Sequence, residues 1–319
     1  MIPPSLSENL CSLKAGQDCP AVSIMTRISR SGEIIDYEIF PSIVQVKRQL
    51  TYYDVNLIAG DNREIGILHD IAVQFQQKRL GRGAVQISLP EINIWFDDDG
   101  NLNITKTDRD SPSRLLVAEL MIMANWMMGR FLSERGLPAI YRSQAEPRER
   151  LYKNNEGTLF QNWTQRKFLS RFVLNPEPEH HSGLGLEVYV TATSPIRRYF
   201  DLATQRQIRS AFGFETPYKR EEIQHIIRIL GEPMSAVGRI QYQRNRYWLL
   251  KYLEGKIGQK KEAIIIAKRK NNYTVLLPEY MIESTLPVSM GIDIKPQSFV
   301  QVTIQHADAR RDLFNVFLS

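Results

Sequence analysis

Apolar and polar residues alternate with period two in VSIMTRIS (residues 22–29) and IIDYEIF (34–40), and the polar RSGE between them supplies a turn, so the pattern predicts a β-hairpin. SIVQVKRQLTYYDV (42–55) carries the strand pattern into a helix start. Over 61–80 the period lengthens: Ile65, Leu68, Ile71, Val73 and Phe75 recur as on a helix, which Gly81 and Gly83 end. AVQISL (84–89), INIWF (92–96) and LNITKT (102–107) read as strands, the last two around the turn DDDGN. Ser111 and Pro112 open a long helix that Gly136 and Pro138 close, with Leu115, Ala118, Ile122, Trp126 and Gly129 on or near one apolar face. PAIYRSQAEPR (138–148) is a strand entering a loop, and 148–172 forms one or two short basic helices. Leu184, Leu186, Val188 and Val190 then alternate as a half-buried strand would. Thr193, Ser194 and Pro195 predict a helix start, with an apolar stripe from Ile196 through Tyr199 to Leu202. Residues 219–256 are a long helix that Gly258 breaks, and the remainder alternates in short strands, the last two joined by DARRD.

These elements predict an α+β chain. A domain of helices and mixed sheet occupies 1–218, a basic helical connector 219–258, and a small all-β barrel of the oligonucleotide-binding (OB) kind 259–319. Pro3 and Pro4 lead at once into LCSL, read as a core segment, so the chain starts as though in the middle of a fold. Residues 115–132 are long and apolar enough to raise the question of a membrane span, but Glu119, Asn125 and Arg130 interrupt them, and a buried helix is expected.

Composition adds little until its distribution is considered. The 319 residues are 43% apolar and 24% charged, as in a soluble globular protein, and the net charge of +6 favours a polyanionic partner only mildly. Between 219 and 270, however, 13 Lys or Arg face 5 Asp or Glu, which concentrates the positive charge there. Cys11 and Cys19 make neither a disulfide framework nor a metal-ligand spacing. MIPPSLSENL lacks the basic end and apolar core of a signal peptide, so a cytoplasmic protein with no membrane partner is expected.

Candidate chemistry gathers in 183–206, GLGLEVYVTATSPIRRYFDLATQR, where glycines, hydroxyls and the adjacent Arg197 and Arg198 suit a phosphate. Asp97, Asp98 and Asp99 could be a metal cluster, yet consecutive carboxylates before Gly-Asn are also what a solvated turn looks like, and that reading is preferred. Glu119 and Asn125 call either for an exposed face or internal partner, or for a functional contact. His180 and His181 lack a third ligand nearby and read as a loop residue and a supporting contact. Tyr152, Phe160, Trp163 and Phe168 interleave with Arg166, Lys167 and Arg171, which suits nucleic acid and helix packing equally.

TATSPIRRYFDLATQRQI (191–208) closely resembles the signature of the ribonuclease II and ribonuclease R (RNB-domain) exoribonucleases, and PPSLSENLCSL, KRQLTYYDV and AELMIMANWMMGRFL resemble further segments of that family in the right order. The terminal barrel is similar to the family's RNA-binding barrel, the ribosomal S-one type of OB-fold. The resemblance implies 3′-to-5′ hydrolysis of single-stranded RNA to nucleoside 5′-monophosphates with Mg2+. It implies that Arg197 is the catalytic arginine and that Thr193, Ser194, Arg198 and Tyr199 position or support it. Glu119, His181 and Tyr189 fall on matching positions beside the bound RNA. The family's metal-binding aspartates lie upstream of the segment matched by the first residues here, so no metal ligand is assigned and a partner polypeptide carrying the missing N-terminal half is expected. Ile87 stands where the family usually has a phenylalanine stacking on the terminal nucleotide, an interaction worth about 1 to 3 kcal/mol. A non-catalytic single-stranded RNA-binding remnant is the alternative.

Overall fold

The computed structural model describes residues 2–29, 31–108, 111–153, 157–288 and 293–319. Arg30 of the expected RSGE turn lies outside them. Strands β1 (Asp18–Ile28) and β2 (Ile34–Gln45) form the expected hairpin, in antiparallel register from Asp18↔Gln45 to Ile28↔Ile34. One face turns Val22, Ile24, Ile39 and their neighbours into a core, while Met25, Ile35 and Ile43 stay exposed. Helix α1 (Tyr52–Ile58) begins in a capping box between Thr51 and Asp54. Helix α2 (Arg63–Gly81) begins at Asn62, whose side chain accepts from two free backbone N–H groups of the first turn. Strands β3 (Glu91–Phe96) and β4 (Leu102–Thr107) pair around the aspartate turn. There Asp97 accepts from the Asn101 backbone and from the side chains of Asn101 and Asn103.

Helix α3 (Pro112–Glu134) is long and apolar enough to cross a membrane, yet it is the core helix of its unit. Met123, Trp126, Met127, Phe131 and Leu132 pack with Phe75, Ile39, Leu186, Val190 and Ile208. At Gly129 an added Cβ would press on Val188 at 3.3 Å and on the Val190 nitrogen at 3.5 Å, so glycine lets the 188–190 segment lie against the helix. Strand β5 (Tyr141–Gln144) pairs with β6 (Phe172–Asn175), and helix α4 (Leu159–Phe168) lies between them in sequence. Helices α5 (Tyr199–Ser210) and α6 (Arg220–Glu254) follow.

Two compact units result, and their sequence segments interleave. The first comprises Met1–Gln86, Asp110–Asn155 and Phe168–Leu230; the second comprises Ile87–Arg109, Glu156–Lys167 and Gly231–Ser319. In the second, β7 (Lys260–Lys268), β8 (Asn272–Leu277), β9 (Ile282–Pro287), β10 (Phe299–Asp308) and β11 (Leu313–Leu318) close a barrel in the order β7, β8, β9, β11, β10. The β9 to β11 contact is parallel and the others are antiparallel, as an OB-type barrel requires. Ile265, Tyr273, Val275, Leu277, Val302 and Val316 fill it together with Leu250 and Leu253 of α6. Trp163 packs with Ile264, Ile266 and Leu276 in a separate cluster.

Four local expectations are corrected. AVQISL is extended but joins no ladder: Val85 donates to the Gly183 carbonyl, the Gln86 carbonyl accepts from Tyr152, and Ser88 donates to the Asn162 side chain. Residues 183–190 are not a strand either. A 3-10 turn (Ser182–Leu184) and a left-handed Gly185 replace the start of the alternation, leaving only single bridges at Leu186 and Val190. The helix expected from Ser194–Pro195 begins at Tyr199, because Pro195–Arg197 form a turn of their own. LCSL is not core, since Leu10 is 76% and Leu13 51% exposed.

Candidate functional site

A buried ion pair underlies the site. Arg79, from the last turns of α2, grips Glu119 of α3 with two parallel bonds, Nε to Oε2 at 3.0 Å and Nη2 to Oε1 at 2.5 Å, and both side chains are 4% exposed. The remaining guanidinium nitrogen, Nη1, donates to the Leu184 carbonyl at 3.0 Å. Gly185 follows with φ +65°, and a Cβ there would stand 2.5 Å from the Arg79 carbonyl oxygen, so the glycine is required twice over. Glu119 thus has the internal partner that its burial demands. Arg79 escaped sequence reasoning because it lies 40 positions from Glu119; its only signal is a charged residue at the end of an amphipathic helix.

Above this pair the backbone of 189–194 is held by side chains. Asn125 of α3 donates to the Tyr189 hydroxyl at 3.2 Å and accepts from the Ala192 N–H at 3.0 Å. Gln205 of α5 donates to the Ala192 carbonyl at 2.7 Å. The Ser194 N–H donates to Asp201 at 2.9 Å, and the Ser194 carbonyl accepts from the Arg197 and Arg198 N–H groups. Asp201 is 1% exposed in the first turn of α5, so a carboxylate already balances the positive end of that helix. The expected helix-terminus phosphate site is therefore replaced by a clamped turn that presents side chains.

Those side chains reach solvent. Arg197, Arg198 and Tyr199 are exposed, and among the described residues neither arginine has a carboxylate partner. Arg197 Nη2 donates to Ser194 Oγ at 3.4 Å, and Thr193 is half-buried beside it. His181 and Tyr189 lie behind, edge to face with ring centroids 5.7 Å apart. Burial raises the Tyr189 hydroxyl above its ordinary range, opposed by the Asn125 hydrogen bond. His181 is 4% exposed, and its two ring nitrogens have no hydrogen-bond partner. Burial, and next the charge of Arg142, lower its pKa to about 4, so it is neutral at physiological pH.

Most of the expected site residues therefore converge: Thr193, Ser194, Arg197, Arg198 and Tyr199 on the turn, His181 and Tyr189 behind it, and Glu119 beneath through Arg79 and Leu184. Ile87 belongs instead to the second unit, half-buried in the extended segment after α2. Magnesium finds no place on these residues. Among the described residues no three His, Cys, Asp or Glu side chains gather to hold a metal ion, Glu119 is committed to Arg79, and Asp201 is committed to Ser194.

Comparison with known proteins follows the same lines. A family model described as the RNB domain matches residues 1–213. An uncharacterized ribonuclease of Synechocystis sp. is 32% identical over 324 residues, spanning 98% of this chain and 48% of its own length. Ribonuclease II, chloroplastic/mitochondrial, of Arabidopsis thaliana is 26% identical, spanning 98% of this chain and 41% of its own length. The chain thus spans about half the length of the curated relatives it matches. Among solved structures, the apo form of Mycoplasma genitalium RNase R superposes with a TM-score of 0.81 at 17% identity over 99% of this chain and 60% of its own. Yeast Ssd1, described as a pseudonuclease, superposes with a TM-score of 0.68 at 16% identity over 89% of this chain and 41% of its own.

Proposed function

Because this chain belongs to the RNB-domain family, we propose that it forms part of a 3′-to-5′ exoribonuclease that takes single-stranded RNA and releases nucleoside 5′-monophosphates. One observation carries the reading: a turn locked by Asn125, Gln205 and Asp201 holds out to solvent two guanidinium groups that, among the described residues, have no carboxylate partner. A clamped backbone bearing exposed, unneutralised arginines is suited to a phosphodiester. In this reading Arg197 grips the non-bridging oxygens of the scissile phosphate and stabilises the charge that develops on them, with Ser194 orienting it. Arg198 and Tyr199 hold the neighbouring nucleotide, and Thr193, His181 and Tyr189 shape the wall behind. Glu119 acts from beneath, by fixing Arg79 and the Leu184 carbonyl. The described residues supply positive charge and no metal-holding carboxylate cluster. The carboxylates that would hold magnesium belong, in this proposal, to polypeptide outside these 319 residues, continuous with them or on a separate chain. The setting proposed is the cytoplasm, with Cys11 and Cys19 as free thiols.

A second reading, RNA binding without catalysis, is favoured by the same missing cluster. Incubating the 319-residue chain with labelled single-stranded RNA and magnesium separates the two. Binding without shortening is expected, and Arg197→Ala should weaken it. Adding the upstream half of a homologous enzyme should restore monophosphate release if the exonuclease reading holds, and should leave the RNA intact if the chain only binds. Release by the 319 residues alone, lost in Arg197→Ala, would place a complete catalytic site within them and overturn the proposed outside source of carboxylates.

A further inference from the structure

Arg142 occupies the middle of β5, opposite Leu174 in the β5–β6 ladder. Its guanidinium lies over the Phe172 ring, 4.0 Å from the centroid. Its Nε is buried and has no hydrogen-bond partner, and among the described residues its side chain joins no ion pair. A buried N–H of a charged group without an acceptor is a costly arrangement unless something outside the folded chain completes it. Its surroundings are those of the site already described. The Arg142 backbone N–H donates to the Tyr189 carbonyl at 2.8 Å, and Gln144, two residues along the same strand, donates from its backbone to the His180 carbonyl. Burial holds the Arg142 guanidinium below its ordinary range, and the positive charge of Arg198 pushes the same way against the opposing Tyr189 hydroxyl. His181 is next to it, buried, neutral and with both ring nitrogens unpartnered. Arg142 Nε and the His181 ring, from two separate segments, thus lie buried without hydrogen-bond partners and near enough to feel each other's charge, with Arg198 acting on Arg142 in the same way, and among the described residues no carboxylate pairs with Arg142.

We propose that Arg142 is a further phosphate-binding residue of this site, with neutral His181 at the back of the same pocket, and that the pocket takes a phosphate group of RNA. The proposal deepens the RNA reading above and rests on it for the identity of the ligand. The Phe172 ring packs against the Arg142 guanidinium, and a guanidinium can give two parallel bonds to phosphate oxygens, a geometry that lysine does not reproduce. The phosphate could be that of the RNA backbone or that of a released nucleoside 5′-monophosphate. Both offer the same oxygens to the pocket.

The test uses the full 319-residue chain. Inorganic phosphate is titrated while the His181 imidazole is followed by nuclear magnetic resonance, its signals assigned by their loss in His181→Gln. A shift in the wild-type chain that is absent in Arg142→Gln is expected. A short single-stranded RNA or uridine 5′-monophosphate is then added, and whichever displaces phosphate identifies the source. In parallel, RNA affinity should fall about tenfold or more in Arg142→Gln, with a salt dependence reduced by about one counterion, and Arg142→Lys should recover only part of the affinity. His181 signals indifferent to phosphate in the wild type would overturn the pocket, even if Arg142→Gln failed to fold, and would leave Arg197 as the RNA-gripping residue. A phosphate response in a chain that binds no RNA would overturn the RNA reading and keep the pocket.

Discussion

The residues proposed to meet phosphate and those that hold the site together differ in how far the sequence reveals them. Arg197 and Arg198 are legible because an adjacent arginine pair after Ser-Pro has few structural uses, and both are exposed as that reading requires. Arg79 is not legible, since nothing local links it to Glu119. Glu119→Gln leaves a buried guanidinium without its counter-charge, so the chain should lose about 3–5 kcal/mol in urea denaturation. Replacing both partners, as Arg79→Met with Glu119→Leu, should recover part of that loss, because the desolvation of both charges disappears with them while the Leu184 carbonyl loses its donor and the Gln76 amide an acceptor. His181 makes a different prediction. Its pKa is about 4 when folded and near 6.5 when unfolded, so the unfolded chain binds more protons between those values. Stability should therefore fall as pH drops from 6.5 to 4 and level off below, by about 3 kcal/mol from this residue. Denaturation at a series of pH values checks it, and His181→Gln should lack that part of the slope.

At the scale of elements, long periodic segments were predictable and the backbone that carries the site was not. The 3.6-residue period of α2 and α3 and the alternation of the barrel strands follow from burial on one face, which the order of apolar and polar residues records directly. The turn before α5 obeys another rule. Ser194 and Pro195 have the sequence of a helix start, but the buried Asp201 takes the Ser194 N–H and the chain makes a separate turn before the helix begins. Likewise the GLGLEVYV alternation records only part of the burial, since Leu186, Val188 and Val190 are inside but so is Tyr189, and its backbone partners are single bridges and isolated bonds to Val85 and Arg142 rather than a ladder. Gly185→Ala tests that arrangement. The new Cβ meets a backbone oxygen at 2.5 Å in a left-handed conformation, and a loss of about 1–3 kcal/mol is expected in thermal unfolding. Gly183→Ala, whose added Cβ would meet the end of the flexible Gln144 side chain, should cost less.

On the scale of the whole chain, the barrel was legible in the last sixty residues because five short alternating strands have few other ways to bury themselves. Its support was not legible. Trp163, a hundred residues before β7, packs on Ile264, Ile266 and Leu276 and donates to Glu283 at 2.6 Å. Lys167 donates to the same carboxylate. Trp163→Ala should therefore destabilise the second unit by about 3–5 kcal/mol, and an excised 231–319 fragment should melt below the barrel transition of the full chain in calorimetry. The interleaving also imposes a schedule on synthesis. Residues 87–109 and 156–167 leave the ribosome well before the strands they pack with. At 5–20 residues per second the earliest of them wait roughly ten to fifty seconds for the last barrel strand. Throughout that interval Trp163 has no Ile264, Ile266 or Leu276 to cover it, so a nascent chain arrested before the barrel strands should expose this aromatic surface to a holding chaperone.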